Sequence, residues 1–183
     1  SFYTGAMADA GQLSFRTAGH CGLAIISPND PDAMMQYAEE CRTMGVPFIF
    51  DPSQQCARLS GDDLRDGIKG ARLVICNDYE FELMRQKTGV SEADIVSRVA
   101  LLVVTRGEHG CSVLTHDGRI DVPSVKPHRL EDPTGVGDAS GGGFMKGLAM
   151  GASHQVCAQL GSVAATYALE HLGGMSHNYS WNE

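Results

Sequence analysis

Short apolar runs, each ending in a polar residue and separated by stretches of helical spacing, constrain this chain most. Leu23-Ala24-Ile25-Ile26 stops at Ser27-Pro28, and Val46-Pro47-Phe48-Ile49-Phe50 runs into Asp51-Pro52. Leu73-Val74-Ile75-Cys76 ends at Asn77, and Leu101-Leu102-Val103-Val104 ends at Thr105. Runs apolar on successive residues suit strands buried on both faces. Between them, Pro31 to Met44 is a predicted helix, with Pro31 in its first turn and Ala33, Met34, Tyr37, Ala38 and Cys41 at helical spacing. Asp62 to Gly70 and Asp78 to Thr88 are predicted helices too, the second stopped by Gly89.

Such strand–helix units predict an α/β fold, with a parallel sheet covered by helices on both faces and ligands at the carboxyl ends of its strands. Ser27, Asp51, Asn77 and Thr105 all fall at those ends. Past Gly107 the pattern changes. Gly110 to Leu114 and Arg119 to Val122 are expected to form a hairpin around His116-Asp117-Gly118. Two helices should follow, Ala139 to Met150 and His154 to Leu172. There is no internal repeat or linker, so 183 residues with 43% hydrophobic content are expected to form one domain over residues 1–183.

A formal net charge of −8 excludes a nucleic-acid binder, because it leaves no basic surface for a phosphate backbone. Cys21, Cys41, Cys56, Cys76, Cys111 and Cys157 are widely spaced and form no CxxC pair. Buried thiols in a reducing cytoplasm are the expectation, rather than disulfides or a zinc site. No apolar run is long enough to cross a bilayer, and residues 1–20 lack the order of a signal peptide. The histidines show no metal spacing, and His154, His171 and His177 read as surface residues.

The chemistry concentrates in Asp132-Pro133-Thr134-Gly135-Val136-Gly137-Asp138. Two glycines around one small residue let successive backbone N–H groups converge, and a helix starting there adds the positive end of its dipole. The expected product is an anion hole. A carboxylate at its mouth is a poor phosphate ligand but a good acceptor for a hydroxyl proton, so Asp138 reads as the general base of phosphoryl transfer to an alcohol. Its alternative is a helix N-cap. Asn77 and Glu80, three apart where strand meets helix, can share a cleft; the alternative is an Asn cap with a solvated Glu.

Three stretches together resemble the ribokinase-like, or phosphofructokinase-B type, family of carbohydrate and nucleoside kinases. Asp132 to Asp138 resembles its C-terminal signature, Asn77-Asp78-Tyr79-Glu80 its Asn-x-x-Glu motif, and Thr105-Arg106-Gly107-Glu108-His109-Gly110 its nucleotide-binding strand and turn. Ser27 to Pro31 and Phe50 to Gln55 are similar to the bacterial branch often labelled adenosine kinase-like. The resemblance implies a three-layer α/β/α ribokinase-like sheet and the catalytic portion of an enzyme moving the γ-phosphate of ATP to a nucleoside or sugar hydroxyl. Adenosine leads as acceptor and ribose follows.

By the same resemblance, Asp138 is the base, and Gly135, Val136 and Gly137 form the anion hole. Asn77 and Glu80 position Mg²⁺, mostly through water, which suits an ion that keeps several waters. Thr105, Arg106, Gly107 and Gly110 line the nucleotide wall, although Arg106 reads equally as a surface arginine in a turn. Ser162, Ala164 and Ala165 pass near adenine, unless Gly161 to Ala165 is simply a close helix contact. Asp132 and Thr134 match positions that help bind a monovalent cation, potassium, with rigidity from Pro133 as the other reading.

Two departures stand out. Ser140 occupies a position where the family usually carries a bulky residue, and Gly141, Gly142 and Gly143 follow, so the first turn is expected to be loose or closely packed. The family's N-terminal strands, sugar-contacting motifs and β lid have no counterpart before Ser1-Phe2-Tyr3-Thr4, which resembles a segment just past that lid. A sheet edge left uncovered calls for a missing N-terminal half or a second copy of the chain. The competing function is therefore a nucleotide-binding protein without turnover. A dinucleotide oxidoreductase would need Gly-x-Gly-x-x-Gly after an early strand, and the glycines here come late.

Overall fold

Each apolar run forms a strand, and each stretch of helical spacing a helix. The computed structural model of the chain describes residues 4–180, so the expectation placed on Ser1-Phe2-Tyr3 lies outside the described residues. The strands are β1 (Ala24–Ile26), β2 (Phe48–Phe50), β3 (Leu73–Asn77), β4 (Leu101–Thr105), β5 (Cys111–Thr115) and β6 (Gly118–Val122). The α-helices are α1 (Pro31–Met44), α2 (Gly61–Ile68), α3 (Asp78–Thr88), α4 (Glu92–Val96), α5 (Val136–Ala149) and α6 (His154–Leu169). The strands hydrogen-bond in the order β1-β2-β3-β4-β5-β6. Parallel pairing holds for β1 with β2 and for β2 with β3, with Ala24 opposite Phe48 and Ile49 opposite Leu73. The sheet as a whole is mixed, which modifies the parallel sheet expected from the repeats.

The chain groups into two compact units, one of residues up to Val104 with Leu114–Gly118, the other of Thr105–Val113 with Arg119 onward. In the first unit the core is Phe48, Phe50, Leu64, Leu73, Met84 and Leu102, all essentially without solvent contact. The Phe50 ring lies directly over Gly67 of α2, where a Cβ would collide with it. Sequence signals set the ends of these helices. Asp30 caps α1 by accepting the N–H groups of Asp32 and Ala33, with Pro31 at the first position, and Gly45 closes it at φ 68°. Ser60 and Asp63 form a capping box on α2. β1 lies at one end of the strand order, and its Ile25 is 40% exposed.

In the second unit α5 and α6 pack face to face through glycines. A Cβ on Gly161 would stand 2.7 Å from the Ser140 carbonyl oxygen, and one on Gly147 would stand 2.8 Å from the Cys157 Sγ. Gly143 likewise faces the Leu160 backbone. Of the glycine run, Gly143 serves close helix packing, whereas a Cβ on Gly142 would meet nothing within 4 Å.

Several boundaries differ from expectation. α5 begins at Val136 rather than Ala139, α6 ends at Leu169 rather than Leu172, and α2 covers Gly61–Ile68. The hairpin strands are shifted to Cys111–Thr115 and Gly118–Val122. α4 was not expected at all, although Ser91-x-x-Asp94 is a capping box. Two 3-10 turns, Gly5–Gln12 and Phe15–Thr17, precede β1. Glu40 of α1 secures the second, accepting the Ser14 hydroxyl at 2.8 Å and the Phe15 N–H at 2.7 Å.

Candidate active site

Among the described residues, five of the six α-helices begin with a side-chain cap: Asp30, Ser60, Asn77, Ser91 and Ser153. α5 does not. Its N-cap is Gly135, in the left-handed conformation at φ 79°, with no side chain to accept a bond. Helix geometry leaves the first N–H groups without intrahelical acceptors. Here the Val136 N–H reaches the Pro133 carbonyl at 3.4 Å, and the Ala139 N–H returns to Gly135 at 2.9 Å. The N–H groups of Gly137 and Asp138 are the ones this leaves for an anion, at the positive end of a helix of 14 residues.

Asp138 is thus the third residue of the helix and not its cap, which removes the alternative reading of it as an N-cap. It is exposed, and among the described residues no hydrogen bond or ion pair occupies its carboxylate. The early start of α5 corrects the expected loop: Val136, Gly137 and Asp138 form its first turn. An open carboxylate beside two convergent N–H groups can take a proton from a hydroxyl while the amides hold an anion.

Asp132 organises the approach to that turn. One of its carboxylate oxygens accepts the Thr134 N–H and the other the Gly173 N–H, each at 2.9 Å. The Thr134 side chain first, then the N–H groups of Thr134 and Gly173, hold its carboxyl below the ordinary value of 3.8. Gly135 lies against Gly174 so closely that a Cβ would stand 2.8 Å from the Gly174 Cα. Asp132, assigned by resemblance to a cation, is thus engaged by backbone amides.

The β4–β5 turn lies in the same unit. The Arg106 N–H donates to the Gly110 carbonyl at 2.7 Å, closing a turn in which Gly107 has φ 53° and Gly110 φ 82°. Gly110 also permits close approach, since a Cβ there would stand 2.8 Å from Pro123 backbone atoms. Thr105 closes β4 and is half-buried. The Arg106 guanidinium donates to Asp121 of β6 at 3.0 Å, so in this structure it serves a protein carboxylate. Asp121 also accepts the Ser112 hydroxyl at 2.6 Å and the Arg119 Nε at 3.0 Å. Arg119, then Ser112, then Arg106 hold its carboxyl far below the usual range. Sequence reasoning missed Asp121 and Ser112; the signal was Arg119 and Asp121 two apart on one strand face.

On α6, the Ser162 hydroxyl accepts the Val125 N–H at 2.9 Å and donates to the Pro123 carbonyl at 3.4 Å. It pins the 123–125 segment to the helix, with Ala165 half-buried and Ala164 buried beside it. The close-packing alternative for Gly161 to Ala165 holds at Gly161, and Ser162 has a tethering role of its own.

In the other unit, Asn77 and Glu80 bind each other. Asn77 Oδ1 accepts the Glu80 N–H at 2.7 Å, and Glu80 Oε2 accepts the Asn77 N–H at 2.8 Å, a reciprocal cap on α3. Both groups stand at the carboxyl end of β3, as the motif requires, but Glu80 is turned back on the cap rather than solvated. Among the described residues, no group of three or more His, Cys, Asp or Glu side chains forms a metal cluster. No helix of the described residues is long and apolar enough to cross a membrane.

The family model described as "pfkB family carbohydrate kinase" matches residues 6–181. This chain belongs to the pfkB family of carbohydrate kinases. Its sequence is 27% identical over 158 residues to a nucleoside kinase of Methanocaldococcus jannaschii, covering 86% of this chain and 52% of that protein. It is 30% identical over 161 residues to a cytidine kinase of Thermococcus kodakarensis, covering 82% of this chain and 56% of that one. A nucleoside kinase of Burkholderia thailandensis, solved in complex with ADP-inosine, matches at a TM-score of 0.94 with 38% identity, over 97% of this chain and 56% of its own. The chain therefore spans about half the length of the relatives it matches. The ribokinase-like α/β fold expected from the motifs is the fold observed.

Proposed function

We propose that this pfkB-family chain is the ATP-binding and catalytic portion of a kinase that transfers the γ-phosphate of ATP to a nucleoside hydroxyl. The uncapped N-terminus of α5, with Gly135 as its cap and Asp138 open in the first turn, carries the reading. The N–H groups of Gly137 and Asp138 receive the transferring phosphoryl oxygens, and Asp138 removes the acceptor proton as the hydroxyl attacks. Thr105, Gly107 and Gly110 shape the nucleotide side, with Ser162 and Ala165 toward the base. Mg²⁺, where bound, would neutralise charge on the phosphates; Asn77 and Glu80 are the residues proposed to hold its waters, each with one side-chain oxygen already in the α3 cap. A potassium ion near Asp132 and Thr134 would have to share Asp132 with the Thr134 and Gly173 amides.

The relatives favour a nucleoside over a free sugar, since one is a cytidine kinase and another was solved with inosine. Adenosine remains the leading acceptor on the Ser27–Pro31 and Phe50–Gln55 stretches, with inosine and cytidine next and ribose last. Binding without turnover is the second reading, since Asn77, Glu80 and Asp132 are each held by protein partners. Calorimetry with MgATP, beside coupled ADP release with adenosine, inosine, cytidine and ribose, separates the two. Asp138→Asn should leave nucleotide affinity intact and lower transfer by roughly 10²–10⁴-fold; near-normal turnover in that variant removes Asp138 from the base role.

A further inference from the structure

Glu170 stands where helix energetics disfavours a carboxylate. It is the C-cap of α6, at the end where unpaired carbonyls already concentrate negative charge. Its partners lie on another segment. Its Oε1 accepts the His128 N–H at 2.5 Å, and its carbonyl accepts the Arg129 Nε at 2.9 Å. One residue earlier, the Leu169 carbonyl accepts the N–H groups of Glu131 at 3.0 Å and Asp132 at 3.4 Å. Further on, Gly173 donates to Asp132, and Gly174 backs Gly135. Residues 128–135 are clipped in sequence to residues 169–174.

We propose that Glu170 is a positioning residue for the anion-binding turn. Residues 129–133 have no helix or strand of their own, so bonds to the end of α6 decide their path. Glu170 clips the start of this strap, Leu169 its middle, and Gly173 its end through Asp132. That register delivers Gly135 to its seat on Gly174 and aims the N–H groups of Gly137 and Asp138. The proposal rests on reading that turn as a phosphate site, and it assigns Glu170 a role that helix stability does not supply.

The test compares wild type, Glu170→Ala and Glu170→Gln for MgADP affinity by calorimetry, for thermal melting, and for amide hydrogen exchange by NMR. Alanine removes the acceptor for His128 and also removes a charge that opposes the helix dipole. Glu170→Ala should therefore melt only slightly below wild type, because dipole relief offsets part of the lost bond, yet bind MgADP about tenfold more weakly and lose protection at His128, Glu131 and Asp132. Glu170→Gln keeps the acceptor oxygen and should retain both affinity and protection. Equal protection in all three forms, or a loss of affinity only in step with a lower melting temperature, overturns the role of Glu170. A wild-type chain that fails to bind MgADP overturns the phosphate reading instead.

Discussion

Gly135→Ala tests the geometry of the turn directly, because two separate costs meet at one atom. A side chain at φ 79° sits in the left-handed region, which costs about 1–2 kcal/mol for a non-glycine residue. The added Cβ would also stand 2.8 Å from the Gly174 Cα, where ordinary contact begins at 3.4 Å. Both partners are backbone, so no rotamer relieves the overlap. Parting them by roughly half an ångström stretches the Gly173 N–H bond to Asp132, now 2.9 Å, toward the limit of a hydrogen bond. Weakening that part-buried bond adds about 0.5–1 kcal/mol, for a total of about 1.5–3 kcal/mol. The midpoint of urea unfolding should fall by about 1 M. Gly137→Ala is the internal control: no atom lies within 4 Å of its Cβ, so it should hold or raise stability, by up to about 1 kcal/mol. A Gly135→Ala midpoint equal to wild type, or equal losses in both variants, would refute the reasoning.

Acid should loosen the same turn. Because the folded carboxyl of Asp132 titrates below its ordinary 3.8, the stability it contributes is complete above about pH 4 and is lost as pH falls through the folded value. Urea midpoints should therefore decline on acidification from pH 5 toward pH 3, and Asp132→Asn should flatten that decline; an unchanged slope in the variant rules the carboxylate out. The thiols give an independent check on the core. Burial pushes Cys56 up to about 12 and Cys76 well above its usual range, whereas Cys21 is only half-buried. Iodoacetamide at pH 8 should label Cys21 in the native protein and spare Cys56 and Cys76, as peptide mass spectrometry would show; native labelling of Cys56 would contradict the packing described.

What the sequence determined by itself is local. Apolar runs broken by Ser27, Asp51, Asn77 and Thr105 specify strands and their polar ends, and Asp30-Pro31 with Gly45 marks both ends of α1, because periodicity, caps and glycine conformations act over a few residues. The glycine turn ahead of α5 was legible for the same reason, since Gly-x-Gly followed by a helix is a local arrangement. Partnerships across long separations were not. That Arg106 bonds Asp121, that Ser162 holds Val125, that Asp132 spends an oxygen on Gly173 and that Glu170 clips His128 became visible only in three dimensions. A side chain chooses among distant partners by packing, and packing decides which donors and acceptors are left facing one another once water is excluded.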